Sequence, residues 1–403
     1  MNRVAIVGVG LVSSLGNSWA AVKENLYIGK SGITVNEAFI ERGLRSHVSG
    51  KINCPEVDEI DRKLRRFMGI NGEWCHVAMA QAVKHAGLTQ EQLSSEDTTL
   101  IVGAGGVASD DLVEALDVLE KQGIKRVGPY RVTREMGSAP SAQLATNYKI
   151  KGPSFSISSA CATSAHCIGT CYQHIKMGLA KTAIAGGVDQ PHWSHAMQFD
   201  AMGALSTQHN DQPEKASRAY DKNRDGFVIS GGAGIVILEE WEHAKARGAQ
   251  ILGEIVGFGA SSDGDNMVAP SGEGAERAIE LALKDANGIS IDYINTHGTS
   301  TPRGDVTELK AIENVFGENI PYISSTKSLS GHALGAAGVH ETIFSLIMLN
   351  EGFVCASANA EDVEEDIQHL PLVRQRLDQN INTVLSNSFG FGGTNACLVI
   401  KAA

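Results

Sequence analysis

The chain has 403 residues, of which 42% are hydrophobic and 20% are charged, and its formal net charge is −12. This composition is that of a globular protein long enough to bury a large core, and the acidic balance argues against general nucleic-acid binding. The seven cysteines contain no CxxC pair, a pattern that indicates a reducing compartment rather than a disulfide framework or a zinc site.

The N-terminal stretch could be taken for a signal peptide, because residues 4–12 are largely apolar. Gly8 and Gly10 interrupt the stretch and its valines are β-branched, features that fit a buried strand better. No other stretch reaches the roughly 18 apolar residues of a membrane span. We therefore predict a cytoplasmic protein that has no membrane partner.

The glycines at 8 and 10 also suggest a dinucleotide site, but the match is incomplete. Ser13 stands where the fingerprint needs its third glycine, and no acidic residue follows a second strand at the right distance. We expect no cofactor here.

Strands and helices are predicted to alternate along the chain, which favours mixed sheets covered by helices in a layered α/β fold. Buried strands are predicted at residues 4–9, 99–102, 155–157, 182–185, 234–239, 293–295, 383–386 and 395–400. Helices are predicted at residues 72–86, 168–175, 274–286, 306–315 and 339–349.

Two short sequence echoes indicate an internal duplication. The sequence IVGVG at residues 6–10 is echoed by IVGFG at residues 255–259, and ISS at residues 157–159 recurs at residues 323–325. We therefore predict two halves, residues 1–250 and residues 251–403, with the larger insertions in the first half. Such insertions are where substrate and partner contacts are expected.

A cysteine lies at the predicted turn from a strand into a helix, within the sequence SSACATSAH at residues 158–166. The first backbone N–H groups of a helix favour a thiolate, so Cys161 is expected to be a reactive nucleophile. The small neighbours leave room for a substrate carbonyl. A lone intracellular cysteine is as often a small buried hydrophobe, and its position alone leaves both interpretations open.

Three further motifs end predicted strands or begin helices. They are HGTST with His297, KSLSGHALGAAG with Lys327 and His332, and the glycine-rich NSFGFGGTN at residues 387–395. A lone histidine is usually structural, but two histidines, a lysine and a cysteine in small-residue motifs of a duplicated fold point to one reactive site.

These motifs together resemble the β-ketoacyl-[acyl-carrier-protein] synthases, most closely their type I, and the resemblance runs nearly end to end. It implies a thiolase-like duplicated αβαβα fold with mixed five-stranded sheets, in a homodimer. It also implies fatty-acid elongation by two carbons, in which an acyl group condenses with a malonyl group on acyl carrier protein and CO2 is released, with no metal or redox cofactor.

The resemblance assigns roles to individual residues. Cys161 would hold the acyl group, and His297 and His332 would act in decarboxylation and condensation. Lys327 would support the site with Glu308 as its buried acidic partner, and the N–H groups of Cys161 and Phe391 would form the oxyanion hole.

Substrate contacts follow from the same resemblance. Thr299 and Thr301 would bind the pantetheine arm, although an ST-turn could use the same hydroxyls. The acyl tunnel would be formed by Gly106, Phe199, Phe389, the gate Phe391 and Met136 from the neighbouring subunit. A small residue at 106 is expected to leave the tunnel open to longer chains. The chain departs from the family at residues 188–195, VDQPHWSH, which puts its chain-length preference in doubt.

A basic cluster stands out in this acidic chain. Arg62, Lys63 and Arg66 fall where the family docks its acidic carrier, and Lys125 and Arg126 are expected to extend the patch. The alternative is a solvated helix face. The resemblance also leaves open whether Asn295, Glu341, Ser386 and Asn387 hold a structural monovalent cation or are satisfied by hydrogen bonds alone.

Other classes explain less of the sequence. A thiolase would carry a second reactive cysteine, but Cys397 lies in an apolar strand without the expected following glycine. A type III synthase uses Cys-His-Asn, and a non-catalytic chain-length partner loses the nucleophile. A cysteine hydrolase would give HGTST and GHALGAAG no evident purpose.

Overall fold

The computed structural model describes all 403 residues. The strands are β1 (Val4–Val12), β2 (Ile33–Val35), β3 (Val48–Gly50), β4 (Thr98–Ala104), β5 (Ser154–Phe155), β6 (Thr182–Asp189), β7 (Gly232–Glu240), β8 (Gly253–Ser262), β9 (Tyr293–Asn295), β10 (Tyr322–Ser324), β11 (Thr383–Gly390) and β12 (Thr394–Lys401). The helices of the first part are α1 (Trp19–Ile28), α2 (Glu37–Glu41), α3 (Arg62–Arg65), α4 (Ile70–Ala86), α5 (Gln90–Leu93), α6 (Ser109–Gln122), α7 (Ile124–Val127), α8 (Arg131–Glu135), α9 (Ala139–Tyr148), α10 (Thr163–Lys176) and α11 (Trp193–Met202). Those of the second part are α12 (Trp241–Ala246), α13 (Glu273–Asp285), α14 (Gly304–Phe316), α15 (Lys327–Ser330) and α16 (Ala337–Glu351).

Ten strands form one sheet in the order β10-β9-β11-β12-β8-β1-β7-β6-β4-β5. The order β5-β4-β6-β7-β1 on one side has the same pattern of parallel and antiparallel pairs as β10-β9-β11-β12-β8 on the other. Strands β1 and β8 join the two five-stranded halves through three residue pairs at Val4–Ile6. The predicted duplication of mixed five-stranded sheets is therefore confirmed, while its boundary near residue 250 stays a prediction.

The helices cover the two half-sheets in layers. Helices α10 and α16 lie between the halves, where their apolar residues share one core with β1, β7, β8 and β12. Helix α4 covers the outer face of the first half, and α13 and α14 cover that of the second. This is the αβαβα arrangement expected from the resemblance.

Close glycine contacts repeat in both halves and explain the sequence echo. A Cβ on Gly10 of β1 would lie 1.9 Å from the backbone oxygen of Ala78 in α4. A Cβ on Gly259 of β8 would lie 2.1 Å from that of Ala278 in α13. Each half thus needs a glycine where an outer helix is pressed onto its strand.

Two expectations differ from the structure. The strand predicted at residues 155–157 is the two-residue edge strand β5, and Phe155 is exposed rather than buried. Helices α6 to α9 were not predicted, and apolar residues of α6 such as Leu116 face outward and not into this chain's core. No helix has the length and apolar character needed to cross a membrane.

Candidate active site

A cavity of about 450 Å³ opens where motifs from both halves meet. The predicted residues that line it are Cys161, Phe199, His297, Thr299, Thr301, Glu308, His332, Phe389 and Phe391. Lys327 is buried behind the cavity wall, with a relative exposure of 2%. The structure therefore gathers the four sequence motifs around one space.

Cys161 lies on a strained turn. The chain leaves β5, forms a 3-10 turn at Ala160–Ala162 and then enters α10. Ala160 has a φ of 48°, a left-handed conformation that costs a non-glycine residue about 1–3 kcal/mol. The N–H of Ser159 donates to Thr163 Oγ1 at 2.8 Å and fixes this turn. The thiol of Cys161 is half-buried at the cavity, whereas the other six cysteines are buried.

Burial at Cys161 opposes the thiolate that the start of a helix is expected to favour. Burial raises the pKa of Cys161 to about 12, and the carboxylate of Asp189 acts in the same direction. Lys327 and the backbone N–H groups of Phe391 and Cys161 lower this pKa, but by less than burial raises it. The partial charge at the helix start cannot offset the loss of water around the sulfur.

Two neutral imidazoles face the thiol. The sulfur of Cys161 and a ring nitrogen each of His297 and His332 all lie within 4.8 Å of one another. The two rings are nearly perpendicular, with centroids 5.2 Å apart. Burial and the charge of Lys327 hold the pKa of both histidines well below its usual value. Both rings are therefore uncharged at neutral pH and can donate hydrogen bonds without carrying a positive charge.

The tautomer of His332 follows from its backbone contact. The N–H of Leu334 donates to His332 Nδ1 at 3.3 Å, so the proton of the neutral ring is on Nε2. Nε2 is buried and has no partner within the chain. Leu334 has a φ of 51°, which is part of the tight turn that returns its N–H to the ring. His332 is thus set to donate from Nε2 to a substrate oxygen.

Glu308 holds the turn that carries His297. Its carboxylate accepts the backbone N–H groups of His297 and Gly298, each at 2.8 Å, and the side-chain amide of Asn387 at 3.0 Å. Burial raises the pKa of Glu308, while these donors and Lys327 act to lower it. Glu308 therefore fixes the position of His297 through the backbone.

The ion-pair partner of Lys327 is Glu341 of α16, which corrects the expected pairing with Glu308. Both side chains of the pair are buried, and burial raises the pKa of Glu341 to about 7. Glu341 Oε2 is buried without a hydrogen-bond partner. A buried carboxylate oxygen without a partner is of the ligand type that a hard monovalent cation prefers.

The glycine-rich loop brings a second backbone donor to the sulfur. A Cβ on Gly390 would lie 2.7 Å from Ser159 O and 3.3 Å from Cys161 N, so only glycine allows this approach. The N–H groups of Cys161 and Phe391 consequently both face the Cys161 sulfur. Two converging N–H groups at a nucleophile can stabilise an oxyanion.

The HGTST loop presents two hydroxyls to the cavity. Thr299 Oγ1 and Thr301 Oγ1 are 3.1 Å apart. Ser300 between them has a φ of 71°, and its N–H donates to the buried carboxylate of Asp305 at 3.1 Å. Burial raises the pKa of Asp305 to about 6 despite Arg224 at 3.6 Å. The loop is anchored from behind, which leaves the hydroxyls facing the cavity.

Some predicted residues lie outside this cavity. Gly106 is covered by the ring of His195, whose Cε1 would be 2.8 Å from a Cβ at that position. The room expected beside Gly106 is therefore filled by a residue of the unusual segment 188–195. Met136 follows α8 and is half-buried away from the cavity.

The five basic residues are exposed on α3 and α7 or at their ends, and none of them forms an ion pair. The adjacent Arg65 differs from them, because it forms ion pairs with Asp58 and Glu73. The exposed cations are Arg62, Lys63, Arg66, Lys125 and Arg126.

Sequence reasoning missed two buried carboxylates near the site. Asp305 anchors the HGTST loop, and Asp189 accepts three backbone N–H groups behind Cys161. The available signal was an acidic residue directly after a buried strand or at a helix start, where free backbone N–H groups are found.

Comparison with known proteins identifies the class. Models of the N-terminal and C-terminal domains of β-ketoacyl synthase match residues 1–244 and 252–361. The chain is 53% identical to the 3-oxoacyl-[acyl-carrier-protein] synthase 1 of Haemophilus influenzae, over 100% of this chain and 99% of the relative. It therefore belongs to the β-ketoacyl synthase family.

Solved structures agree with this assignment. A β-ketoacyl synthase from Burkholderia phymatum STM815 has a TM-score of 0.93 and 32% identity over the whole of both chains. A type II PKS acyl-carrier protein in complex with its ketosynthase bound to the hexaketide has a TM-score of 0.91 and 28% identity, also over the whole of both chains. The predicted family, the fold class and the enzyme class, an acyltransferase of the ketosynthase type, are confirmed.

Proposed function

We propose that this protein condenses an acyl group held on Cys161 with a malonyl group carried by acyl carrier protein, releasing CO2 and lengthening a fatty chain by two carbons. The observation that carries the proposal is the cluster of one sulfur and two neutral imidazoles within 4.8 Å at the cavity. The name and near-complete coverage of the Haemophilus influenzae relative support the same reaction.

The first step transfers the acyl group to Cys161. The sulfur forms a bond to the thioester carbonyl carbon, and its proton passes to the departing pantetheine sulfur as the old thioester bond breaks. The N–H groups of Cys161 and Phe391 stabilise the transient oxyanion. One thioester replaces another, so the acyl group is stored without an external energy source.

The second step generates the carbon nucleophile. The malonyl carboxylate leaves as CO2, and the bonding electrons pass into an enolate of the remaining thioester. His332 Nε2–H and the ring of His297 donate to the enolate oxygen, because both rings are neutral. Lys327 contributes by keeping those rings unprotonated.

The third step joins the two chains. The enolate carbon forms a bond to the acyl carbonyl carbon as its bond to the Cys161 sulfur breaks, and the departing thiolate takes a proton from solvent. The product is a β-ketoacyl thioester on the carrier. Thr299 and Thr301 would bind amides of the pantetheine arm, and Phe199, Phe389 and Phe391 would contact the acyl chain. Gly106 and Met136 stay predictions for the deeper part of the tunnel.

The carrier and a second copy of the chain are the proposed partners. The unpaired cations at Arg62, Lys63, Arg66, Lys125 and Arg126 suit an acidic carrier. For the homodimer, the edge strand β5 offers free backbone groups, and α6 presents Leu112, Leu116 and Leu119 with 43–51% exposure. The edge strand and the exposed leucines support a dimer. The free cysteines support a reducing, cytoplasmic setting.

One assay tests the reaction. The protein is incubated with acyl-carrier and labelled malonyl-carrier, with Cys161→Ser in parallel. We expect CO2 and a β-ketoacyl-carrier only with intact Cys161. Product formation from acetyl-CoA without malonyl-carrier would indicate a thiolase instead, and product formation by Cys161→Ser would remove the nucleophile from its role.

His297→Ala and His332→Ala separate the steps. Both variants should take an acyl group onto Cys161 yet fail to condense it, because only enolate formation needs both rings. Normal condensation by either variant would contradict the assignment.

A further inference from the structure

Asp189 is a fully buried carboxylate that the proposed reaction does not use. It is the last residue of β6, its relative exposure is 0%, and it has no ion-pair partner. Three backbone N–H groups converge on it instead. Gly105 and Gly335 donate to Oδ2 at 3.0 and 2.7 Å, and Gly106 donates to Oδ1 at 3.3 Å.

The three donors come from both halves of the fold. Gly105 and Gly106 follow β4 in the first half, and Gly335 precedes α16 in the second. A Cβ on Gly335 would lie 2.3 Å from Gly105 N, and a Cβ on Gly105 would lie 2.6 Å from Asp189 Oδ2. The junction is therefore closed backbone against backbone around one carboxylate, which leaves no room for side chains.

Each side of the junction leads to a reactive group. On one side, a Cβ on Gly105 would be 3.1 Å from the carbonyl oxygen of Ala160, the strained residue before Cys161. On the other side, Gly335 follows Leu334, whose N–H sets the tautomer of His332. Movement of this junction would shift the thiol and the imidazole relative to each other.

We propose that Asp189 is a positioning residue that locks the loops of Cys161 and His332 together, and that its negative charge opposes ionisation of the Cys161 thiol in the resting protein. The locking follows from its three hydrogen bonds. The charge effect follows from the place of its carboxylate at Gly105, since a Cβ on Gly105 would lie 2.6 Å from Asp189 Oδ2 and 3.1 Å from the carbonyl oxygen of Ala160, the residue before Cys161.

The charges around the thiol support the second part. The charged groups that act on Cys161 are Asp189 and Lys327, and the neutral His297 and His332 lie within 4.8 Å of its sulfur. Asp189 also acts on Cys75 of α4. Burial raises the pKa of Asp189 to about 7, against the three N–H donors. Asp189 therefore becomes negatively charged as the pH rises through 7, and this charge opposes formation of the Cys161 thiolate in the same range.

Alkylation of Cys161 by iodoacetamide tests the charge effect without depending on the proposed reaction. Cys161 is the one cysteine that is not buried, and mass spectrometry of the peptide confirms the site. We expect Asp189→Asn to move the high-pH part of the profile down by about one unit, so that alkylation is about tenfold faster at pH 9 and only about twofold faster at pH 7, where Asp189 is half ionised. A folded Asp189→Asn protein with the wild-type profile would overturn this part.

Two further proteins complete the experiment. Asp221→Asn is the control, since Asp221 is also buried and accepts backbone N–H groups, but it pairs with Arg218 and does not act on Cys161. It should lose stability and keep the wild-type profile. Asp189→Glu keeps the negative charge but displaces the junction. Its pH profile of alkylation should therefore match that of the wild type, while its condensation rate should fall at least tenfold. Wild-type condensation by Asp189→Glu would overturn the positioning role.

The wild type provides a test that no folding defect can obscure. Because the charge of Asp189 appears near pH 7, the plot of log alkylation rate against pH should flatten there and then rise again. A single straight rise through this range would show that Asp189 does not act on the thiol. The condensation assay rests on the proposed function, whereas this measurement does not, so the two failures are distinguishable.

Discussion

Removal of the Glu308 carboxylate should separate acyl transfer from condensation. Glu308→Ala leaves the backbone N–H groups of His297 and Gly298 and the amide of Asn387 without their acceptor. Hydrogen bonds to a charged acceptor contribute about 1.5–3 kcal/mol each, so the two backbone bonds alone amount to about 3 kcal/mol. Recovery of the buried charge's desolvation cost, which is what raises the pKa of Glu308, offsets part of this low-end sum.

The catalytic effect should fall on condensation and not on acylation. Without its anchor the turn of His297 can move by about 1 Å, and a displacement of that size costs about a hundredfold in rate. We expect condensation to fall about a hundredfold, whereas acylation of Cys161 should fall less than tenfold, because its loop does not contact Glu308. Single-turnover acylation, followed by mass spectrometry, and CO2 release measure the two steps.

The matched control is Glu313→Ala. Glu313 lies on the same helix, α14, with 43% of its side chain exposed, and should leave both steps unchanged. Condensation at the wild-type rate by folded Glu308→Ala would refute the reasoning, as would an equal loss in both steps. Glu308→Gln, which keeps one acceptor oxygen, should lie between the wild type and Glu308→Ala.

Three further predictions concern docking, pH and assembly. Charge reversal at Lys63 and Arg66 should raise KM for carrier-bound substrate, most at low salt, while charge reversal at exposed Lys30 should leave KM unchanged. An unchanged KM in the Lys63 and Arg66 variants would exclude these residues from carrier docking. Burial lowers the pKa of His340 to about 4, so its contribution to stability is complete above pH 6.5 and is lost as pH falls towards 4. In urea unfolding, wild type should therefore lose up to about 3 kcal/mol more than His340→Gln over that range, and parallel curves would count against this. Leu116→Glu should yield monomers in analytical ultracentrifugation, and an unchanged dimer would exclude α6 from the interface.

Local sequence patterns predicted the duplicated framework well. The echo of Gly10 in Gly259 reflects the same close contact of a strand with an outer helix, so a local pattern carried long-range information. The reactive residues were found for a similar reason, since each lies in a short motif of small residues.

Pairings that depend on how helices pack could not be predicted. Glu341 meets Lys327 only because α16 is buried between the half-sheets, and nothing local distinguishes it from Glu308. The protonation of Cys161 likewise depends on the enclosure by Gly390 and on Asp189, which are remote in sequence.

The meeting of motifs from both half-sheets at one cavity has a consequence for biosynthesis. Cys161 comes from the first half and both imidazoles from the second, so a partly synthesised chain holds the sulfur without the groups that act on it. Reactivity can then arise only after the last strands, β11 and β12, have docked and the loop between them has closed. An incompletely synthesised or proteolysed molecule therefore does not decarboxylate malonyl groups unproductively.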